Sequence, residues 1–142
     1  AYLAELGLPG HHLCVEITEN ALLDQRPEIG QHLAALRSTG ICIALDDFGT
    51  GYSAMGYLKK FAIDGLKIDQ SFIRDMLKQP GDRTIVEAII AMSQKLGIRA
   101  VAEGVETPQQ QALLQQYGCD YGQGFLFAEA LPAKDFAARQ GF

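Results

Sequence analysis

Acidic side chains recur where the apolar runs of this chain end. Glu16 closes the first run, with Glu19 just beyond it, and Asp46 and Asp47 close the second. Lys67 and Asp69 end the third, Glu103 the fourth with Glu106 three residues on, and Gln123 lies in the fifth. The set is rich in carboxylates and free of histidine, which suits hard cations with oxygen ligands, Mg2+ or Mn2+, rather than zinc. Asp46 beside Asp47 brings like charges together, and a bound divalent ion would relieve their repulsion. Two ions sharing a bridging carboxylate could activate water and clamp the attacking and leaving oxygens of a phosphodiester. Lys67 could hold that water or neutralise charge developing on the phosphoryl group. Each residue alone also has a plain structural role, as a helix N-cap or half of an ion pair. Their recurrence at all five strand ends is what points to a shared site.

The elements that must position these groups alternate. Strand-like segments at Leu13–Thr18, Ile41–Asp46, Leu66–Asp69, Ile98–Glu103 and Tyr121–Phe127 are rich in Ile, Val, Leu and Phe. Helical spacing runs from Pro27 to Arg37 through Ile29, Leu33 and Leu36. It runs again from Arg83 to Leu96, with Ile85, Ile89, Met92 and Leu96 on one face. Thr107-Pro108-Gln109-Gln110 opens a further helix with an N-cap, a proline at the first position and a capping-box glutamine. Lys134 to Arg139 forms a last short helix, and Ala1 to Leu8 reads as a helix tail closed by Pro9-Gly10.

This alternation demands a parallel sheet with right-handed crossovers. One face of each strand is bulky and aliphatic: Val15 and Ile17, then Ile41, Ile43 and Leu45, then Leu66 and Ile68. The other is small or polar: Cys14, Glu16 and Thr18, then Cys42, Ala44 and Asp46, then Lys67 and Asp69. A doubly wound sheet should be apolar on both faces. A barrel with a polar mouth fits better, and in such barrels catalytic groups gather at the strand C-termini. Five units do not close an eight-stranded barrel, so the expected architecture is the C-terminal five βα units of a (β/α)8 TIM-type barrel. Residues 1–142 would then be one portion of a single domain.

With 12 basic and 17 acidic residues the net charge is −5, which argues against gripping a nucleic acid polymer by general electrostatics. No apolar run is long enough for membrane insertion, and no signal peptide is visible. Cys14, Cys42 and Cys119 cannot all pair and lack CxxC spacing; Cys14 and Cys42 read as small buried thiols and a reducing cytoplasm as the location. His11 and His12 precede the first strand and belong to the opposite rim, while His32 sits in a helix facing solvent. Asp46-Asp47-Phe48-Gly49-Thr50-Gly51-Tyr52-Ser53 lacks the ending of a P-loop and reads as a metal-ligand pair followed by a mobile lid loop.

Five stretches together resemble the EAL domain family of bacterial cyclic di-GMP phosphodiesterases. They are Glu16-Ile17-Thr18-Glu19, the Asp46-to-Ser53 segment, Leu66-Lys67-Ile68-Asp69, Ala102-Glu103-Gly104-Val105-Glu106-Thr107 and Gln123-Gly124-Phe125-Leu126-Phe127. The resemblance implies a barrel in which two Mg2+ or Mn2+ ions drive hydrolysis of cyclic di-GMP to linear diguanylate. It implies that Glu16, Asp46, Asp47 and Glu103 are metal ligands, Asp46 the bridge, with Lys67 on the attacking water and Glu103 a ligand or base. Asp69 and Gln123 would complete the water and substrate shell, Glu106 would lie behind the ligands or bind substrate, and Glu19 would brace the lid loop. The resemblance also implies a homodimer, a cytoplasmic domain whose parent can be membrane-anchored elsewhere, and a neighbouring GGDEF or sensor domain.

The sequence departs from the family pattern in places. The Glu-Ala-Leu motif and an asparagine ligand from an earlier strand are absent, the expectation being that the chain begins after them. Ala54-Met55 replaces the usual Ser-Leu, and Ala130 a usual proline. On that expectation the isolated segment is inactive, and oligomeric or unstable through its open strand edges. The alternative reading is an EAL-like cyclic di-GMP receptor without catalysis, or a dimerisation or regulatory module.

Overall fold

In the computed structural model the described residues are 2–23, 27–49, 56, 58 and 61–140. Five strands, β1 (Cys14–Thr18), β2 (Cys42–Phe48), β3 (Gly65–Ile68), β4 (Arg99–Glu103) and β5 (Tyr121–Gln123), form one sheet. Its spatial order is β1-β2-β3-β4-β5 and every pairing is parallel. A doubly wound sheet must reverse its order somewhere; a run without reversal is the wall of a barrel. Around it lie α1 (Tyr2–Glu5), a 3-10 turn at Gly10–His12, α2 (Glu19–Leu23), α3 (Pro27–Ser38), α4 (Gln70–Asp75), α5 (Pro80–Leu96), α6 (Pro108–Tyr117) and α7 (Ala133–Gln140).

Burial alternates along β1 and β4, while β3 is buried throughout. Ile43, Leu45, Leu66, Ile68, Ala100 and Ala102 face the helices and meet Ile73, Met76, Val86, Ile90, Val105 and Leu114. Each fully buried Leu or Ile contributes roughly 1.5–3 kcal/mol relative to exposure. The register places Cys14 beside Cys42, Glu16 beside Ala44, Lys67 beside Val101 and Glu103 beside Gln123, so the opposite face carries a common polar row.

Three sequence expectations need correction, and two short helices are additions. On α5 the buried stripe is Val86, Ile89, Ile90 and Ser93, while Ile85 and Leu96 are exposed. Ser93 is tolerated inside because its hydroxyl donates to Ile89 O at 2.9 Å. The segment after β5 does not continue to Phe127: Gly124 turns the chain with φ of 154°, and Phe127 N–H returns to Gly124 O at 3.0 Å. A Cβ at Gly124 would collide with the Val105 backbone. Cys14 is exposed rather than buried: it lies beside Cys42 in the register and alternates with the half-buried Val15. Helices α2 and α4 follow strand ends too closely to show their own periodicity.

Candidate metal centre

Strict alternation would send Asp46 and Asp47 to opposite faces of β2. The structure avoids this with a bulge. Leu45 pairs with Leu66 and Phe48 with Ile68, so β2 carries one extra residue across from β3. Asp47 takes the left-handed conformation, φ of 54°, which Asp tolerates better than most residues. The bulge turns both carboxylates toward the strand C-termini. There Asp46, Asp47 and Glu103 each offer an oxygen within 4.8 Å of the others.

Lys67 lies at the centre of the acids. Its Nζ donates to Glu16 Oε2 at 2.6 Å and sits 2.7 Å from Glu103 Oε1 and 3.1 Å from Asp46 Oδ1. Its side chain is only 7% exposed, so one ammonium neutralises acids from β1, β2 and β4. Burial opposes its charge, but bonds to Glu103, Glu16 and Asp46 more than compensate and raise its pKa above the usual lysine range. Glu103 is pushed above the ordinary carboxylate range by burial, with Asp46 and Glu16 adding repulsion against the pull of Lys67. Asp47 is raised as well, by desolvation first and then by Asp46 and Asp69.

The remaining candidates are placed as follows. Asp69 is the N-cap of α4: it accepts Ser71 N–H at 2.9 Å and the Ser71 hydroxyl, and it also touches Asp47. Gln123 is exposed beside Glu103 in the register. Glu106 is exposed, and its N–H donates to Gln110 Oε1 at 2.9 Å. Glu19 is buried at the first residue of α2. Glu16 joins the cluster through Lys67, and the three-acid group itself is Asp46, Asp47 and Glu103. His11 and His12 lie exposed before β1, on the opposite rim. Of the proposed lid, Phe48 is buried and Gly49 described; residues 50–53, like Ala54-Met55, lie outside the described residues. Sequence reading missed Ser71, whose signal is the Asp-x-Ser spacing of an N-cap.

An all-oxygen, anionic donor set of this kind fits Mg2+ or Mn2+. The EAL domain family matches residues 1–130. Over 130 residues the chain is 46% identical to cyclic di-GMP phosphodiesterase NbdA of Pseudomonas aeruginosa, covering 92% of this chain and 17% of that protein. It therefore spans less than a fifth of that relative. The EAL domain of Mycobacterium smegmatis DcpA superimposes with a TM-score of 0.90 at 38% identity, covering 98% of this chain and 62% of the other. Klebsiella pneumoniae BlrP1, in a complex with manganese and cyclic di-GMP, gives a TM-score of 0.83 at 36% identity over 89% of this chain and 32% of its own. With a match over nearly its whole length, the chain belongs to the EAL domain family.

Proposed function

We propose that this chain supplies the C-terminal five βα units of a barrel that hydrolyses cyclic di-GMP to linear diguanylate. The observation that carries the reading is the convergence of Asp46, Asp47 and Glu103 within 4.8 Å, with Lys67 among them. Asp46, Asp47, Glu103 and Glu16 would hold Mg2+ or Mn2+, two ions on this reading. When bound, such ions neutralise phosphoryl charge and lower the pKa of water.

The chain's own residues complete the task. Lys67 holds a fixed positive charge where the attacking water and phosphoryl oxygens must meet, which favours the charge that builds as a P–O bond of the ring breaks. Glu103, raised by burial, is suited to accept a proton from that water. Asp69 steadies Asp47 from the start of α4, while Gln123 and Glu106 offer hydrogen bonds to the dinucleotide. Glu19 braces the loop after β2. The domain works as a homodimer in the cytoplasm, beside a GGDEF or sensor domain in its parent protein; among the described residues no helix is long and apolar enough to cross a membrane.

The test is direct. The intact protein, given Mn2+ and cyclic di-GMP, is expected to release linear diguanylate by chromatography, and Asp46→Asn to abolish the product. Tight binding of cyclic di-GMP without cleavage would replace this reading with that of a receptor.

A further inference from the structure

Gln110 does more than close a capping box. It is 4% exposed, and its Oε1 accepts from Glu106 N–H at 2.9 Å, Thr107 N–H at 2.9 Å and the Thr107 hydroxyl at 3.1 Å. Those bonds need only an acceptor, and glutamate serves a capping box equally well while also favouring the positive helix N-terminus. What the amide adds is a donor. Gln110 Nε2 donates to Ile73 O at 2.9 Å, a carbonyl in the last turn of α4, where a helix leaves its C=O groups for outside partners.

This bond joins two walls of the mouth. On one side is α4, whose N-cap Asp69 touches Asp47. On the other is the exit of β4, where Glu103 leads into Gly104, Val105 and Glu106. The two walls also meet at Gly104, which has φ of 69° and where a Cβ would stand 2.8 Å from Gln70 Cβ. Val105 is fully buried and its N–H donates to Gln123 O at 3.0 Å, so the exit loop is also tied to β5.

We propose that Gln110 is a positioning residue for the metal centre, fixing the β4 exit against α4 through Ile73 O so that Glu103 and Asp47 keep the spacing two cations require. The inference rests on the metal-dependent reading of the site. Gln110→Glu separates the two roles, because it keeps the cap acceptor and replaces the donor to Ile73 O with a carboxylate oxygen. In the intact protein, paramagnetic resonance of free Mn2+ should show affinity about tenfold weaker, within the 10–100-fold range of partners that orient metal ligands. The kcat for cyclic di-GMP should fall in parallel, with KM within about twofold. The melting temperature should fall too, because a carboxylate oxygen then faces Ile73 O in a buried site. Binding is therefore compared well below it, with Thr107→Val as the control for lost stability.

Thr107→Val is the reciprocal variant. It removes the cap hydroxyl and leaves the Ile73 bond, so the melting temperature should drop while Mn2+ affinity stays within about twofold. Gln109→Glu, which adds the same charge at an exposed neighbour, should change neither. Equal Mn2+ binding by Gln110→Glu and the parent, including equal absence, overturns the proposal, as does an equal loss in Thr107→Val. A parent that binds Mn2+ but leaves cyclic di-GMP uncut removes the phosphodiesterase reading, and the Mn2+ comparison still decides the role of Gln110.

Discussion

The two ends of the sheet use acidic residues in opposite ways. Where strands begin, each carboxylate has its own structural duty. Asp64 accepts two bonds from Arg37 Nη1, at 2.8 and 2.9 Å, and the Ile43 N–H at 2.9 Å. Asp120 accepts Ala100 N–H at 2.8 Å. Where strands end, Glu16, Asp46 and Glu103 converge on one ammonium, and Asp47 stands in a bulge beside them. Carboxylates matched to separate donors hold a fold together. Carboxylates that outnumber their cation store repulsion, which a divalent ion would relieve under the proposed reading.

The sharpest contrast is between Asp46→Asn and Asp64→Asn. Asp46→Asn should lower turnover of cyclic di-GMP by about a thousandfold or more while leaving thermal stability unchanged or slightly higher, since it removes a repelling charge. Asp64→Asn should do the reverse, costing about 1 kcal/mol in urea unfolding and leaving turnover within a few-fold, because its ion pair is partly solvated. Equal loss of activity in both would erase the distinction between the ends.

A second effect concerns Lys67. Lys67→Met leaves three acids without their shared cation, which should destabilise the metal-free protein by about 3 kcal/mol. Added Mn2+ should restore part of that loss, as a melting-temperature rise larger than in the parent. A variant as stable as the parent without metal would mean that Lys67 is not the counter-ion of the cluster. For pH, the sign follows from the raised lysine pKa: the stability that Lys67 contributes is complete below the ordinary lysine range and is lost only as pH rises through its folded-state value.

The smallest expected effect is a shift in metal affinity. Asp47 and Glu103 both titrate above ordinary carboxylates. If they are ligands, protons compete for them earlier than usual, and Mn2+ affinity should decline as pH falls from neutral toward the ordinary carboxylate range. For the metal-free protein the sign is opposite, because a raised carboxylate pKa means protonation favours the folded state. Affinity that is flat across this window would separate these two acids from the metal.

Much of this arrangement was legible in the sequence because it follows from period-two alternation and turn chemistry. The aliphatic face through Ile43, Leu45, Leu66 and Ile68, the capping box at Thr107, and the gathering of acids at strand ends all emerge from residue spacing. The bulge did not. Nothing in Asp46-Asp47 alone distinguishes a strand that alternates from one with an extra residue, and only pairing with β3 fixes it. Spacing points one residue away from the buried face of α5 because Ile85 and Leu96 are as apolar as Val86 and Ile90, and Ser93 hides its hydroxyl on its own helix. The Gln110–Ile73 bond spans 37 residues, a contact that local spacing cannot reveal.

The most direct measurement is anomalous diffraction from crystals of the intact protein grown with Mn2+. The account predicts anomalous peaks among the carboxylates of Asp46, Asp47 and Glu103, with Glu16 close by. Peaks elsewhere, or none while Lys67 keeps its contacts with Asp46 and Glu103, would contradict it.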